Sequence, residues 1–161
     1  MLRFLGVAAL SVWVGGLTVL GIAAPVLFAT LQGHDPIAGR ELAGTAFGAV
    51  FARFQTAALI SGAILLGSFA VRAALGPRPR RLAVRVWTVI AMLAISLATT
   101  VAISPRIDRL RTDAHGSIAA LPEDDPRRDA FNRLHGLSNG LMLLTVGAGL
   151  VLLWFESTDS H

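Results

Sequence analysis

The sequence contains no cysteine and no lysine, and only 15% of its residues are charged. Without cysteine there can be no disulfide, no thiolate metal site, no iron–sulfur cluster and no c-type haem attachment. Soluble domains carry about a quarter of their residues as charges, so the shortage here removes the surface that a water-soluble fold needs. All 14 basic residues are arginine, and the pI is about 11.4. These arginines flank apolar blocks or alternate with acids, and no basic stripe interleaves with aromatics, so nucleic acid is not expected as a partner. Anchoring and orientation in a membrane explain them better.

Apolar residues fill the space that charge leaves: 54% of the 161 residues are hydrophobic, the mean hydropathy is +0.66, and they come in long unbroken blocks. The implied solvent is lipid. Charge-free stretches cover about 4–31, 54–71, 86–105 and 136–155. Each is close to the roughly 20 helical residues that cross a bilayer core of about 30 Å. In lipid every backbone N–H and C=O must be satisfied within its own segment, so the stretches are helices. The fold class expected is all-α, an integral membrane four-helix bundle forming one domain over residues 1–161. The first block is longer than a signal-peptide core and is read as retained, with a kink one turn before Pro25.

Small residues at four-residue spacing (Ala58 with Gly62, Ala63 with Gly67, Gly136 with Gly140) suit close helix packing in lipid. Between the second and third spans, Pro77 and Pro79 lie among Arg72, Arg78, Arg80, Arg81 and Arg85, a rigid basic turn of the kind retained in the cytoplasm, which would place both termini there. The other side carries more arginines in total, most of them in or beside one loop of about thirty residues with acids among them. In that loop Asp125 is placed to cap a helix whose first residue is Pro126, and Asp124/Arg128 and Asp129/Arg133 stand at i,i+4. The helical period of Ala43, Phe47, Val50, Phe51 and Phe54 predicts a surface-lying helix leading into the second span.

Polar side chains at membrane depth are costly, so their positions carry information. Arg53 and Gln55 open span two. Ser96, Thr100, Ser104 and Asp108 follow one another at i+4 along span three, and His135, Ser138, Asn139 and Met142 share one face of span four. Gln32 and His34 close span one. Because successive helices alternate in direction, these ends meet at one membrane surface. The expectation is a polar vestibule for a small solute or ion, built from Arg53, Gln55, Thr100, Ser104, His135, Ser138 and Asn139.

The stretch Ala43-Gly44-Thr45-Ala46-Phe47-Gly48-Ala49-Val50-Phe51 and the stretch from Phe131 to Leu144, with His135-Gly136-Leu137-Ser138 at its heart, resemble the signature regions of the transmembrane-protein-205-like family. Trp13-Val14-Gly15-Gly16 is similar to a third, weaker one. That resemblance implies a four-helix membrane domain with no assigned reaction, and it directs attention to His135, Ser138 and Arg53. In that family an asparagine often stands a few residues after the His-Gly-Leu-Ser stretch, whereas here Asn139 follows Ser138 directly.

Three functions compete on this reading. A solute- or ion-handling module fits the converging polar residues, although no charge lies mid-span to serve as a coupling site. A structural or partner-docking scaffold fits Phe47, Phe51 and Phe54 as an interfacial wedge. A haem, quinone or copper bundle is the least favoured: His34, His115, His135 and His161 all lie at span ends or beyond, and His34, His135 and Met142 have no recognised copper spacing. Ser138 and His135 lack a supporting carboxylate and there is no nucleophile elbow, so no enzyme, catalytic residue or cofactor is expected.

Overall fold

An apolar stretch surrounded by lipid satisfies its backbone as a helix, and the computed structural model, which describes residues 1–76, 79–114 and 118–158, consists of helices and short turns. Helix α1 is Leu2–Gln32, α2 is Ala38–Leu75 and α3 is Leu82–Ala98. A π-helical turn, Thr99–Ile103, carries α3 into α4, Ser104–Asp113. After a 3₁₀ turn, Ile118–Ala120, α5 runs over Pro126–Thr158. Four rods are therefore long and apolar enough to cross a membrane: Leu2–Gln32, Ala38–Leu75, Leu82–Asp113 and Pro126–Thr158. At about 1.5 Å per residue they measure about 45 to 57 Å, so each overshoots a hydrocarbon core of about 30 Å.

The bundle keeps a narrow core and turns most of its apolar surface outward. Leu10, Trp13, Val14 and Leu17 of α1 pack with Ala58, Leu65 and Phe69 of α2, Val89 and Met92 of α3, and Leu152 of α5. Val19, Ile22, Ile60, Leu97, Leu143 and Leu150 all face outward. In the most apolar window of α5 only 17% is buried, a distribution that water would oppose and lipid favours. Closest helix approach occurs where glycine permits it. A Cβ on Gly62 would collide with Leu93 and Trp13, and one on Gly39 would strike the backbone of Leu31. Of the three expected small-residue pairs, Ala58 and Gly62 meet a neighbour, while Ala63, Gly67, Gly136 and Gly140 are exposed. Four-residue spacing marks a helix face without saying whether another helix lies against it.

Pro25 lies inside α1, which continues past it to Gln32. Two local expectations change. The segment around Phe47 is no separate surface helix but the first part of α2, held upright because Gly39, Ala43 and Gly44 are buried and Asp35 Oδ1 accepts the N–H groups of Ile37 and Ala38 at 2.9 and 2.8 Å. Span three is interrupted by the π turn just before Pro105, whose missing N–H already removes one rung of the ladder. Of the basic turn, Pro77 and Arg78 lie outside the described residues.

Candidate functional site

Helix alternation brings the end of α1, the start of α2, the end of α4 and the start of α5 to one rim of the bundle, and a cavity of about 250 Å³ opens there. Its walls are Phe28, Ile37, Arg40, Glu41, Arg111, Ile118, Ala119, Arg128, Phe131, Asn132 and His135. Three arginines against one glutamate make it electropositive. Arg111 is positioned by two neighbours: its Cζ lies 5.7 Å from the centre of the Phe131 ring, and its guanidinium rests on Gly44, where any Cβ would collide with it. On the same helix the ring of Phe131 is stacked with that of His135, centroids 5.8 Å apart and planes 5° apart. Arg128 Nη1 donates to the carbonyl of Leu121 at 3.3 Å, which fixes the loop beside the cavity.

The start of α5 is capped by Asp125 as the sequence suggests, but among the described residues neither Asp124 with Arg128 nor Asp129 with Arg133 forms an ion pair, and Asp125 pairs with Arg127 instead. Asp125 Oδ1 accepts the N–H of Arg127 at 2.8 Å. The same carboxylate takes the Arg127 guanidinium at 2.7 Å, and Arg127 Nη1 reaches the carbonyl of Asp113, tying α5 to the end of α4. Hydrogen bonds from the Arg127 side chain and backbone hold the Asp125 carboxyl below the usual carboxylate range.

The seven sequence-derived candidates take separate places. His135 lines the cavity. Gln55 is buried at 4% exposure, and its Nε2 donates across the bundle to the carbonyl of Ser96 at 3.3 Å, just before the π turn. Thr100 is exposed and bonds back to that same carbonyl at 2.9 Å. Arg53 is exposed and reaches toward the cavity rim along its own helix, donating to the carbonyl of Ala49 at 3.2 Å. Ser104 and Ser138 are half-buried, and Asn139 is exposed. Neither Ser104, Ser138 nor Asn139 lines the cavity.

The opposite rim carries a feature that the sequence reading missed. Glu156, at 2% exposure near the end of α5, is the meeting point of all four rods. Arg85 of α3, itself 1% exposed, pairs with its Oε1, and Arg85 Nη2 donates to the carbonyl of Phe155 at 3.2 Å. Arg72 of α2 reaches both carboxylate oxygens, at 3.2 and 3.1 Å. Arg3 of α1 donates to the Glu156 carbonyl and lies 3.9 Å from Oε2. An acid directly after span four, at the end where alternation also places Arg3, Arg72 and Arg85, was the available signal.

His34 sits apart, its Nδ1 3.1 Å from the carbonyl of Thr30, and among the described residues no three His, Cys, Asp or Glu side chains come together to hold a metal ion. His115 and His161 lie outside the described residues. Comparison with curated proteins and with solved structures yields no match. A family model described as a domain of unknown function, DUF4149, matches residues 8–116, which include α1, α2 and α3 from residue 8 onward and end before α5. It names no transmembrane-protein-205-like family, and the Phe131 to Leu144 stretch, which carried most of that resemblance, lies beyond the matched residues. The chain belongs to the DUF4149 family.

Proposed function

We propose that this DUF4149 protein is a non-enzymatic, multi-pass membrane protein that binds a small anion in the cavity between α1, α2, α4 and α5. The observation that carries the reading is the convergence of Arg40, Arg111 and Arg128 on about 250 Å³ of space, with Glu41 the one acid among the described lining residues. Guanidinium groups match carboxylate and phosphate oxygens, and partial exclusion of water strengthens that attraction. The volume suits an ion or a small metabolite better than a drug-sized molecule, whose sites start near about 300 Å³. Below the cavity the buried core is mainly apolar, which favours binding at the surface over permeation. The basic rim around Arg3, Arg72, Arg80, Arg81 and Arg85 faces the cytoplasm with both termini, and the cavity faces the other side. The resemblance to the transmembrane-protein-205-like family adds membrane architecture to this reading but no reaction.

Thermal unfolding of the full chain in mild detergent, with inorganic phosphate titrated at constant ionic strength, tests it. A saturable rise in midpoint is expected in the wild type. Arg111→Ala and Arg40→Ala should each remove most of it, while Arg80→Ala at the far rim leaves it intact. A midpoint indifferent to phosphate, or equal rises in wild type and Arg111→Ala, overturns the reading.

A docking scaffold remains the second reading, because Ile37, Leu42 and Val50 are exposed along the cavity end of α2, where Phe47 and Phe51 are stacked at 6.1 Å.

A further inference from the structure

We infer that the bundle holds a phosphate-bearing lipid between α3 and α5, at the rim opposite the cavity, with one chain in a lateral groove and the phosphate on Arg81. The groove is apolar, about 540 Å³ in volume, and is lined by Ala83, Trp87, Ala91 and Ile95 of α3 and by Leu144 and Ala148 of α5, among others. From residue 83 to residue 95 it extends about 18 Å along α3, which is about the depth of one leaflet of a core about 30 Å thick.

Its mouth is basic. Arg81 caps α3 from just outside it, with left-handed backbone at φ 54°, next to Ala83 and Val84 at the end of the groove, while Phe155 continues the α5 stripe of Leu144 and Ala148. The Arg81 guanidinium stands 5.8 Å from the centre of the Phe155 ring and so spans the two walls at the headgroup end. Among the described residues Arg81 forms no ion pair with a carboxylate. Pairing of Arg85 with Glu156 sets the register of the two helices, and this places Trp87 and Trp154 at one depth. Both are largely exposed, at 69% and 61%. Exposed tryptophans at a shared depth mark the headgroup boundary, and basic pockets between spans at a cytoplasmic surface suit anionic headgroups. An acyl chain ending in phosphate matches both the groove and its mouth. A neutral lipid or a helix would leave Arg81 without its counter-charge.

Native mass spectrometry of the full chain extracted in dodecyl maltoside tests the assignment. One phosphate-bearing lipid per chain is expected, with anionic species exceeding zwitterionic ones relative to the bulk membrane extract. Arg81→Gln should lower retention about fivefold. Ala148→Trp should abolish it by filling the groove, and Ala91→Phe repeats that test from the α3 wall in case the first variant folds poorly. Arg111→Ala should retain the lipid fully, which separates this site from the anion cavity. Bound lipid mirroring the bulk extract would overturn the inference, as would equal retention in Arg81→Gln and wild type. So would disulfide-linked dimers of Ala148→Cys in a chain otherwise free of cysteine, since they would show a second copy in the groove.

Discussion

The two rims of the bundle use the same residue types to opposite ends. At the Glu156 rim, arginines from three rods converge on one buried carboxylate, with Arg85 and Arg72 largely shielded from water and only Arg3 partly exposed. At the cavity rim, Arg40, Arg111 and Arg128 surround open space, and among the described lining residues the only acid is Glu41. A closed arrangement fixes helix positions, because a buried charge without its partner is costly. An open one leaves attraction unspent for a ligand. Charge at a membrane surface therefore has to be read by what faces it and not by its count.

The largest effect that would sharpen this contrast is loss of the carboxylate. Glu156→Gln should destabilise the bundle by about 3 to 5 kcal/mol, because it removes the buried carboxylate that both Arg85 and Arg72 face. Arg111→Ala should change stability by only about 0.5 kcal/mol, the scale of a surface substitution. Reversible unfolding in detergent measures both, and similar losses would erase the distinction between the rims. Combining Glu156→Leu with Arg85→Met should recover much of the loss, since removing both partners leaves less charge stranded.

A smaller effect concerns the apolar middle that both rims share. Gly62→Ala should cost about 1 to 3 kcal/mol by pushing against Leu93 and Trp13, whereas Gly67→Ala should stay within about 0.5 kcal/mol because open space surrounds it. Equal costs would show that α2 packs through a different face.

The smallest effect lies beside the cavity. Since its partner Arg127 depresses the Asp125 carboxyl, the stabilisation from that pair is present above the ordinary carboxylate pKa and fades as pH falls through the lowered one. Amide exchange at the start of α5 should accelerate over that acid range. In Asp125→Asn the exchange should already be faster at neutral pH and should lose this acid dependence. An unchanged acid profile in the variant would remove Asp125 from the account.

Four spans were legible because lipid demands contiguous apolar blocks, and contiguity is visible in one dimension. The cap at Asp125 was legible for a similar reason: it is local, resting on residues two positions apart. What escaped notice depends on distance. Arg3 and Glu156 are separated by 153 positions, and only the third dimension brings them together. At the cavity, sequence polarity singled out Arg53, Gln55 and Thr100, whose bonding capacity is engaged by backbone carbonyls. The cavity arginines lie in the connections outside the four apolar blocks, where polarity is the norm, so nothing in the sequence groups them with His135.

The position of Glu156 also bears on how the protein is made. Three rods, each contributing an arginine to the closed rim, leave the ribosome before the fourth has been completed, and until then those cations lack the acid that later unites them. Only when the final span is threaded can the bundle lock, so assembly waits on the end of α5.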